Sequence, residues 1–480
     1  MSSSPTDRQT YLVPVNPETI DALASGVQPE DLAIGIEPDL STLQLSSPPV
    51  WSANEVGGRE VNHILYSDDS GIWTWWGVDE SDMAAMMAIY TAGLMPGKPY
   101  VEFEEVFPLK RTPEESALLD AIVAAPDDDA PRLAYADYLT AQGDLRGEVI
   151  RLQIEMERCE DTDEERCAAL WDEAQKLLDA HGREWFRPLA ALNLWPTLGS
   201  EFCPEFFMQR GMLEAVWIHL EDVLPEHAEE LWSFAPTLNS VSFFQTVDLP
   251  GLAALPQMQR IQELSVLANE PETAESDMAA LAESPNVTRL RSLTLGYELS
   301  DPAAMTLFSA PWFDRLRELD LQRAKLSPEM IEMLTARSTF VELDSLDLGG
   351  PNMTEQSAVN LSENPALRNL ISLRLGEAPL SGAAFRELVL GAWPRLQCLD
   401  LGACVLTEDD VEFLAYQPSL PALEYLNLQG CAIGERGAAA LAGSPYLQRI
   451  KSLDVDRSAI NEDELIVLAS RFGESLKVHE

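Results

Sequence analysis

From Leu290 to Val455 the apolar positions restate one short pattern, apolar-x-x-apolar-x-apolar, seven times. The copies are Leu290/Leu293/Leu295, Leu316/Leu319/Leu321, Leu343/Leu346/Leu348, Leu370/Leu373/Leu375, Leu396/Leu399/Leu401, Leu423/Leu426/Leu428 and Ile450/Leu453/Val455. The middle residue advances by 26, 27, 27, 26, 27 and 27 positions. Weaker copies at Leu213/Val216/Ile218, Leu238/Val241/Phe243 and Ile261/Leu264/Val266 bring the total to ten. Apolar residues two apart face one side of an extended strand, so each copy predicts a short strand with one buried face. Five residues later comes a further apolar anchor: Leu326, Met353, Leu380, Leu406, Ile433 or Ile460. Directly after it stand Ser327, Thr354, Ser381, Thr407, Gly434 and Asn461, residue types that start helices. The phrases LAESPNVTRLRSL, LSENPALRNLISL and LAGSPYLQRIKSL then close the helix, and their proline turns the chain back. The predicted unit is strand, turn, capped helix and return loop.

Self-similarity at a period of about 20–29 residues is the signature of leucine-rich repeats. The expected fold class is therefore α/β: a leucine-rich-repeat solenoid over residues 211–480, with parallel strands on a concave face and helices on a convex face. One departure is visible. The turn position that such repeats usually fill with Asn or Cys holds Ala324, Pro351, Ala378, Cys404, Cys431 and Ser458. Small residues there are similar to repeats of the ribonuclease-inhibitor type, and Cys404 and Cys431 read as buried turn residues.

Upstream, residues 111–210 read as a helical domain. Thr112 caps a first helix, with Pro113 at its first position and Glu115 reaching back in a capping box. Leu118, Ile122 and Ala125 mark the apolar stripe of that helix. Asp127, Asp128 and Asp129 open a second, where carboxylates favour the positive end of the dipole, and Gly143 ends it. A third helix carries Val149, Ile150, Leu152, Ile154 and Met156. A fourth, over 164–181, carries Leu170, Trp171, Ala174, Leu177 and Leu178. Residues 126–133 (PDDDAPRL), 135–139 (YADYL), 143–148 (GDLRGE), HGREWFRPLA and QRGMLEAVWI together resemble the bacterial repeat-companion domain. That resemblance implies architecture, a helical module fused to bacterial leucine-rich repeats, and no catalytic residues. A solenoid end exposes an apolar face, which such a module would cap. Tyr135, Asp137 and Tyr138 read as helix packing with one hydrogen-bonded carboxylate.

Residues 1–60 hold seven prolines and few bases, the composition of an extended or disordered linker. Order is expected from Val61, where VNHILYSDDSGIWTWWGV reads as a hairpin turning at 67–71. A helix over 81–92 and a strand over 100–107 would complete a small α+β unit at 61–110. Trp73, Trp75 and Trp76 form a candidate aromatic binding face there.

Composition changes the picture in one respect. The chain has 80 Asp and Glu against 32 Lys and Arg, a formal net charge of −48. Residues 1–110 carry 17 acids and 4 bases, 111–210 carry 22 and 10, and 211–480 carry 41 and 18, so the bias runs throughout. Neutralising phosphates takes clustered Lys and Arg, so a nucleic-acid partner is not expected, nor an anionic membrane surface. No apolar run is long enough to span a bilayer, and the first residues lack a secretory pattern. The six cysteines form no CxxC pair and fit reduced, mostly buried thiols in a cytoplasmic protein. The five histidines are scattered, and no nucleophile elbow, phosphate loop or metalloprotease motif is present. No enzyme activity and no cofactor or metal is expected.

What remains is surface. The residue between the paired leucines points away from the core, and along the stack it reads Thr294, Asp320, Asp347, Arg374, Asp400, Asn427 and Asp454. Strands stack about 4.8 Å apart, so Asp320 and Asp347 would be like-charged neighbours, with Arg374 between Asp347 and Asp400 offsetting both. The residues Asp320, Asp347, Arg374, Asp400, Asn427 and Asp454 are the candidate partner-binding site, suited to a basic protein surface. The function expected is a non-catalytic protein-interaction scaffold. The alternative is a recognition or regulatory subunit, of an enzyme or GTPase, whose activity lies in 61–110.

Overall fold

The computed structural model describes five strands before residue 79. It then describes residues 103–479 apart from 127, 160–162, 193, 195–196, 199–200, 203–206, 219–222 and 245. The chain divides into two compact units, residues 1–238 and 239–480.

In the first unit, strands Tyr11–Pro14, Gly35–Ile36, Leu45–Val56, Arg59–Asp68 and Gly71–Val78 form one sheet. The last two are the expected hairpin, antiparallel with Asp68 opposite Gly71. The first three lie within the stretch read as linker. The helix over 81–92 and the side chains of Trp73, Trp75 and Trp76 lie outside the described residues. Where a strand over 100–107 is expected, Phe103–Val106 is helical, and the Phe107 N–H donates to the Phe103 carbonyl at 2.9 Å. Phe103 and Phe107 are one helical turn apart, and their ring centroids lie 5.0 Å from each other. That i, i+4 aromatic pair, with Val106 beside it, has the spacing of a helix face rather than of a strand.

Helices follow at Pro113–Ala124, Asp129–Ala141, Arg146–Cys159 and Glu164–Trp185. Thr112 caps the first through its hydroxyl, which accepts from Glu115 N–H. The Glu115 carboxylate turns instead to the Tyr135 hydroxyl, 3.1 Å away, and to Arg111. Asp128 caps the second, and Gly143 beyond its end adopts φ +76. Leu119, Ile122, Tyr135, Leu139, Ile150 and Ile154 make the shared core. Leu118 packs against that core only in part, and Trp171 of the fourth helix is 41 % exposed. Arg132, fully buried, pairs with Glu214 at 2.6 Å and also reaches the Pro126 carbonyl. The Tyr135–Asp137–Tyr138 group makes no joint site. Tyr138 bonds the Thr112 hydroxyl, while Asp137 pairs with Arg151 on the surface.

The second unit is an α/β solenoid of the leucine-rich-repeat kind. Its strands are Ser240–Phe243, Glu263–Val266, Ser292–Leu295, Glu318–Asp320, Ser345–Asp347, Ser372–Arg374, Cys398–Asp400, Tyr425–Asn427, Ser452–Asp456 and Leu476–His479, hydrogen-bonded in chain order. All pairs are parallel, so each strand needs a crossover, and the helix of each repeat supplies it. The weak first copy, at Leu213/Val216/Ile218, supplies strand Ala215–Ile218 in the first unit. The final strand, Leu476–His479, carries no full copy of the motif and is not foreseen by it.

Register follows the motif. Leu264, Leu293, Leu319, Leu346, Leu373, Leu399, Leu426 and Leu453 pair one to the next. All eight are at most 3 % exposed. The caps follow the sequence as well: Ser327, Thr354, Thr407 and Asn461 each accept an N–H from the first helical turn. Two do not. Gly434 is already helical, after Ile433. Ser381 makes no cap bond, and Gly382 N–H donates to Asp410 of the next repeat at 3.1 Å.

The residue before each turning proline joins neighbouring repeats. Ser284 donates to the Ala253 carbonyl, Asn364 to the Thr335 and Arg337 carbonyls, and Ser444 to the Ala415 carbonyl. Helix-end carbonyls that lack an intrahelical partner are thereby satisfied. The buried turn thiols also join neighbouring repeats, at carbonyls just past a strand. Cys404 donates to Leu375 O at 3.2 Å and Cys431 to Leu401 O at 3.1 Å. Burial pushes the Cys404 thiol up to about 12 and the Cys431 thiol up to about 11, so both stay protonated.

If these leucines form one continuous core, Leu→Ala at Leu346, Leu373, Leu399 or Leu426 costs about 2–5 kcal/mol each in urea melts. Losses below about 1 kcal/mol at all four would contradict the register.

Candidate functional site

The outward position of each strand forms one row. Ladder partners run Ser242, Ser265, Thr294, Asp320, Asp347, Arg374, Asp400, Asn427, Asp454 and Lys477. The six candidate residues therefore stand side by side, and Lys477 closes the row with a charge that the motif does not reveal. Toward its C-terminal end the row borders a groove of about 540 Å³. Asp347, Arg374, Asp400, Asn427 and Asp454 line it together with Gln322, Cys398, Tyr425 and Ser452. Cys398, Tyr425 and Ser452 sit two residues before the row on their strands, so strand alternation brings them to the same face. Tyr425 is 47 % exposed and adds an aromatic surface to the groove. The last three could have been found by extending the period-two argument one step along each strand. Asp320 lies in the row but not on the groove wall.

The row also has a structural task. Asp320 Oδ1 accepts from Gln322 N–H at 3.1 Å, Asp347 from Gly349 at 3.1 Å, Asp400 from Gly402 at 2.8 Å and Asn427 from Gln429 at 2.9 Å. Each is the same turn: a side-chain oxygen takes the amide two residues on, as the strand ends. Asn427 in addition donates to Asp400 at 2.9 Å, tying two repeats. The backbone passes close by here: a Cβ on Gly402 would stand 2.9 Å from Asn427 Nδ2, and one on Gly349 2.7 Å from the Gly376 carbonyl. Short oxygen-bearing side chains thus hold the turn backbone from the strand end, beside the Cys404 and Cys431 thiols that bond carbonyls from within the turn.

Asp347 is the exception within the row, only 8 % exposed. Burial pushes its carboxyl up to about 6, the like charges of Asp320 and Asp400 add to this, and Gly349 N–H and Arg374 oppose it. Arg374, exposed, is the single base among the six candidate residues. Asp454 accepts from Ser452 Oγ at 2.7 Å and lies 3.8 Å from His479.

Among the described residues no helix is long and apolar enough to cross a membrane. No family model and no curated protein matches the sequence. Among solved structures, the chain is similar to a chain in the crystal structure of the Rad7 and Elc1 complex in yeast. There the identity is 18 %, with 55 % of this chain and 73 % of that chain covered, at a TM-score of 0.37. It is similar also to an internalin (inlF) from Listeria monocytogenes, at 14 % identity, 51 % and 81 % coverage and a TM-score of 0.29.

A carboxyl raised from 3.8 to about 6 makes folding less favourable once it ionises. The favourable contribution is full below pH 3.8 and is lost as pH rises through about 6. Asp347→Asn keeps the oxygen that accepts from Gly349 and removes the charge. Its expected effect is a gain of about 1–3 kcal/mol at pH 7.5 that fades to nothing below pH 4. Urea melts across that range check it; a variant less stable than the parent at pH 7.5 would show that the buried charge is not a burden.

Proposed function

We propose that this chain is a non-catalytic interaction protein. Its row of Asp320, Asp347, Arg374, Asp400, Asn427 and Asp454 receives a basic surface of a partner protein. The observation that carries the reading is the ladder register: residues up to 134 positions apart in sequence (320 to 454) are aligned on one sheet, beside an open polar groove. The groove offers a partner carboxylates, an exposed tyrosine and one arginine, which suits Lys and Arg side chains with a single acidic counterpart. On the same reading the chain is a cytoplasmic bacterial leucine-rich-repeat protein, and the helical domain over 111–210 is its repeat-companion module. That assignment is supported by the motifs quoted above and by the capped helices they form.

A surface of this kind steers a basic partner and raises its association rate more than its final affinity. Binding should weaken as salt rises past about 0.15 M, where the Debye length is about 8 Å. The test starts with affinity capture by the full chain to obtain the partner. Association rates are then compared with the triple variant Asp347→Asn, Asp400→Asn, Asp454→Asn, which keeps the turn-capping oxygens of residues 347 and 400. The expected result is association at least about tenfold slower at low salt, a shallower salt dependence and a melting temperature unchanged or higher. A triple variant that associates at the parental rate in low salt would reduce the row to a solvated, turn-forming surface.

A further inference from the structure

The first unit brings two thiols together that no sequence spacing announces. Cys159 is the last residue of helix Arg146–Cys159, and Cys167 lies in the first turn of helix Glu164–Trp185. Their sulfurs are 2.8 Å apart, within an ångström of the disulfide bond length of about 2.05 Å. Both thiols donate to one acceptor, the Met156 carbonyl, at 3.3 and 3.2 Å. The backbone holds the two helix ends in place by itself. Asp163 N–H donates to the Cys159 carbonyl at 2.9 Å, and Cys167 N–H to the Asp163 carbonyl at 3.0 Å. Cys159 is 6 % exposed, whereas Cys167 is half-buried and open to solvent.

We propose that Cys159 and Cys167 form a reversible redox site that takes low-molecular-weight disulfides, of which oxidised glutathione is the type. The steps balance without a further reactant. The Cys167 thiolate attacks one sulfur of the small disulfide, forms a mixed disulfide and releases one small thiol. The Cys159 thiol loses its proton and attacks the Cys167 sulfur, and the second small thiol leaves. The protein loses two hydrogens and the small disulfide is reduced to two thiols. Reduced glutathione in excess reverses both steps. Exposure of one partner assigns the order of attack, and the bond clamps one helix end to the start of the next. Cys404 and Cys431 serve as internal controls, because their sulfurs are buried, protonated and engaged by carbonyls one repeat away.

The test uses the full-length chain in glutathione buffers of graded ratio at pH 8. Free thiols are alkylated and mapped by mass spectrometry. The expected result is one cross-linked peptide pair, Cys159 with Cys167, forming at a glutathione ratio at which Cys404 and Cys431 remain alkylatable after denaturation. Cys159→Ser should accumulate a glutathione adduct on Cys167. Cys167→Ser should leave Cys159 at least tenfold slower to react. Cross-linking of either cysteine to Cys203, adducts on both without a bond between them, or parental reactivity of Cys159 in Cys167→Ser would overturn the proposal. As a second readout, amide exchange at Asp163 and Cys167 should slow several-fold on oxidation; unchanged exchange would count against the clamp.

Discussion

The second unit depends on one constraint: the paired leucines of each repeat have no core of their own. A strand of three to five residues with one apolar face, as in Ser345–Asp347, cannot be buried within its own 27 or so residues. Burial comes from the neighbouring copy, so the leucines must align between copies. They do, from Leu264 to Leu453. A slip of one residue in any pair would carry every leucine of that strand to the solvent face. The lateral hydrogen bonds of Ser284, Asn364, Ser444, Cys404 and Cys431 secure the same alignment at the helix ends and in the turns.

Once the leucines are aligned, the residue between them has no freedom of position. It stands about 4.8 Å from its counterparts on either side, whatever its charge. Acidic residues in that column would repel one another, yet Asp320, Asp347 and Asp400 each close the turn that follows their strand. Half-exposed members such as Asp320 and Asp400 keep a face open to solvent as well as a hydrogen bond. At Asp347 solvent is withdrawn, and the raised carboxyl marks where the turn-forming task and the charge conflict most. A conflict tolerated on a rigid face is what a basic partner would relieve, and that links the stability of the column to its proposed use.

Much of this was legible in the sequence, because a repeat turns local spacing into tertiary position. The strands, four of the six foreseen caps and the row itself follow from counting along the chain. What was hidden depended on neighbours remote in sequence. Ser381 looks like a cap, but the carboxylate that bonds the first helical amide belongs to Asp410. Glu115 has the spacing of a capping box, yet the Tyr135 hydroxyl claims its side chain. Residues 100–107 are expected as a strand, yet Phe103, Val106 and Phe107 have the i, i+3, i+4 spacing of a helix face, and the helix prevails. Lys477 arrives on a strand with only Leu476 and Val478 to announce it. Cys159 and Cys167 are eight apart, and only the fold of two consecutive helices makes them partners.

The central claim is that the leucine register makes the column residues mutual neighbours, and a double-mutant cycle tests it most directly. Asp347→Asn and Arg374→Gln sit on adjacent strands, whereas Asp347 and Asp454 are four strands apart. In urea melts at pH 7.5 and low salt, the first pair should show a coupling energy of about 0.5–1 kcal/mol. Asp347→Asn with Asp454→Asn should be additive within about 0.3 kcal/mol. No coupling in the first pair, or equal coupling in both, would contradict the register on which the account stands.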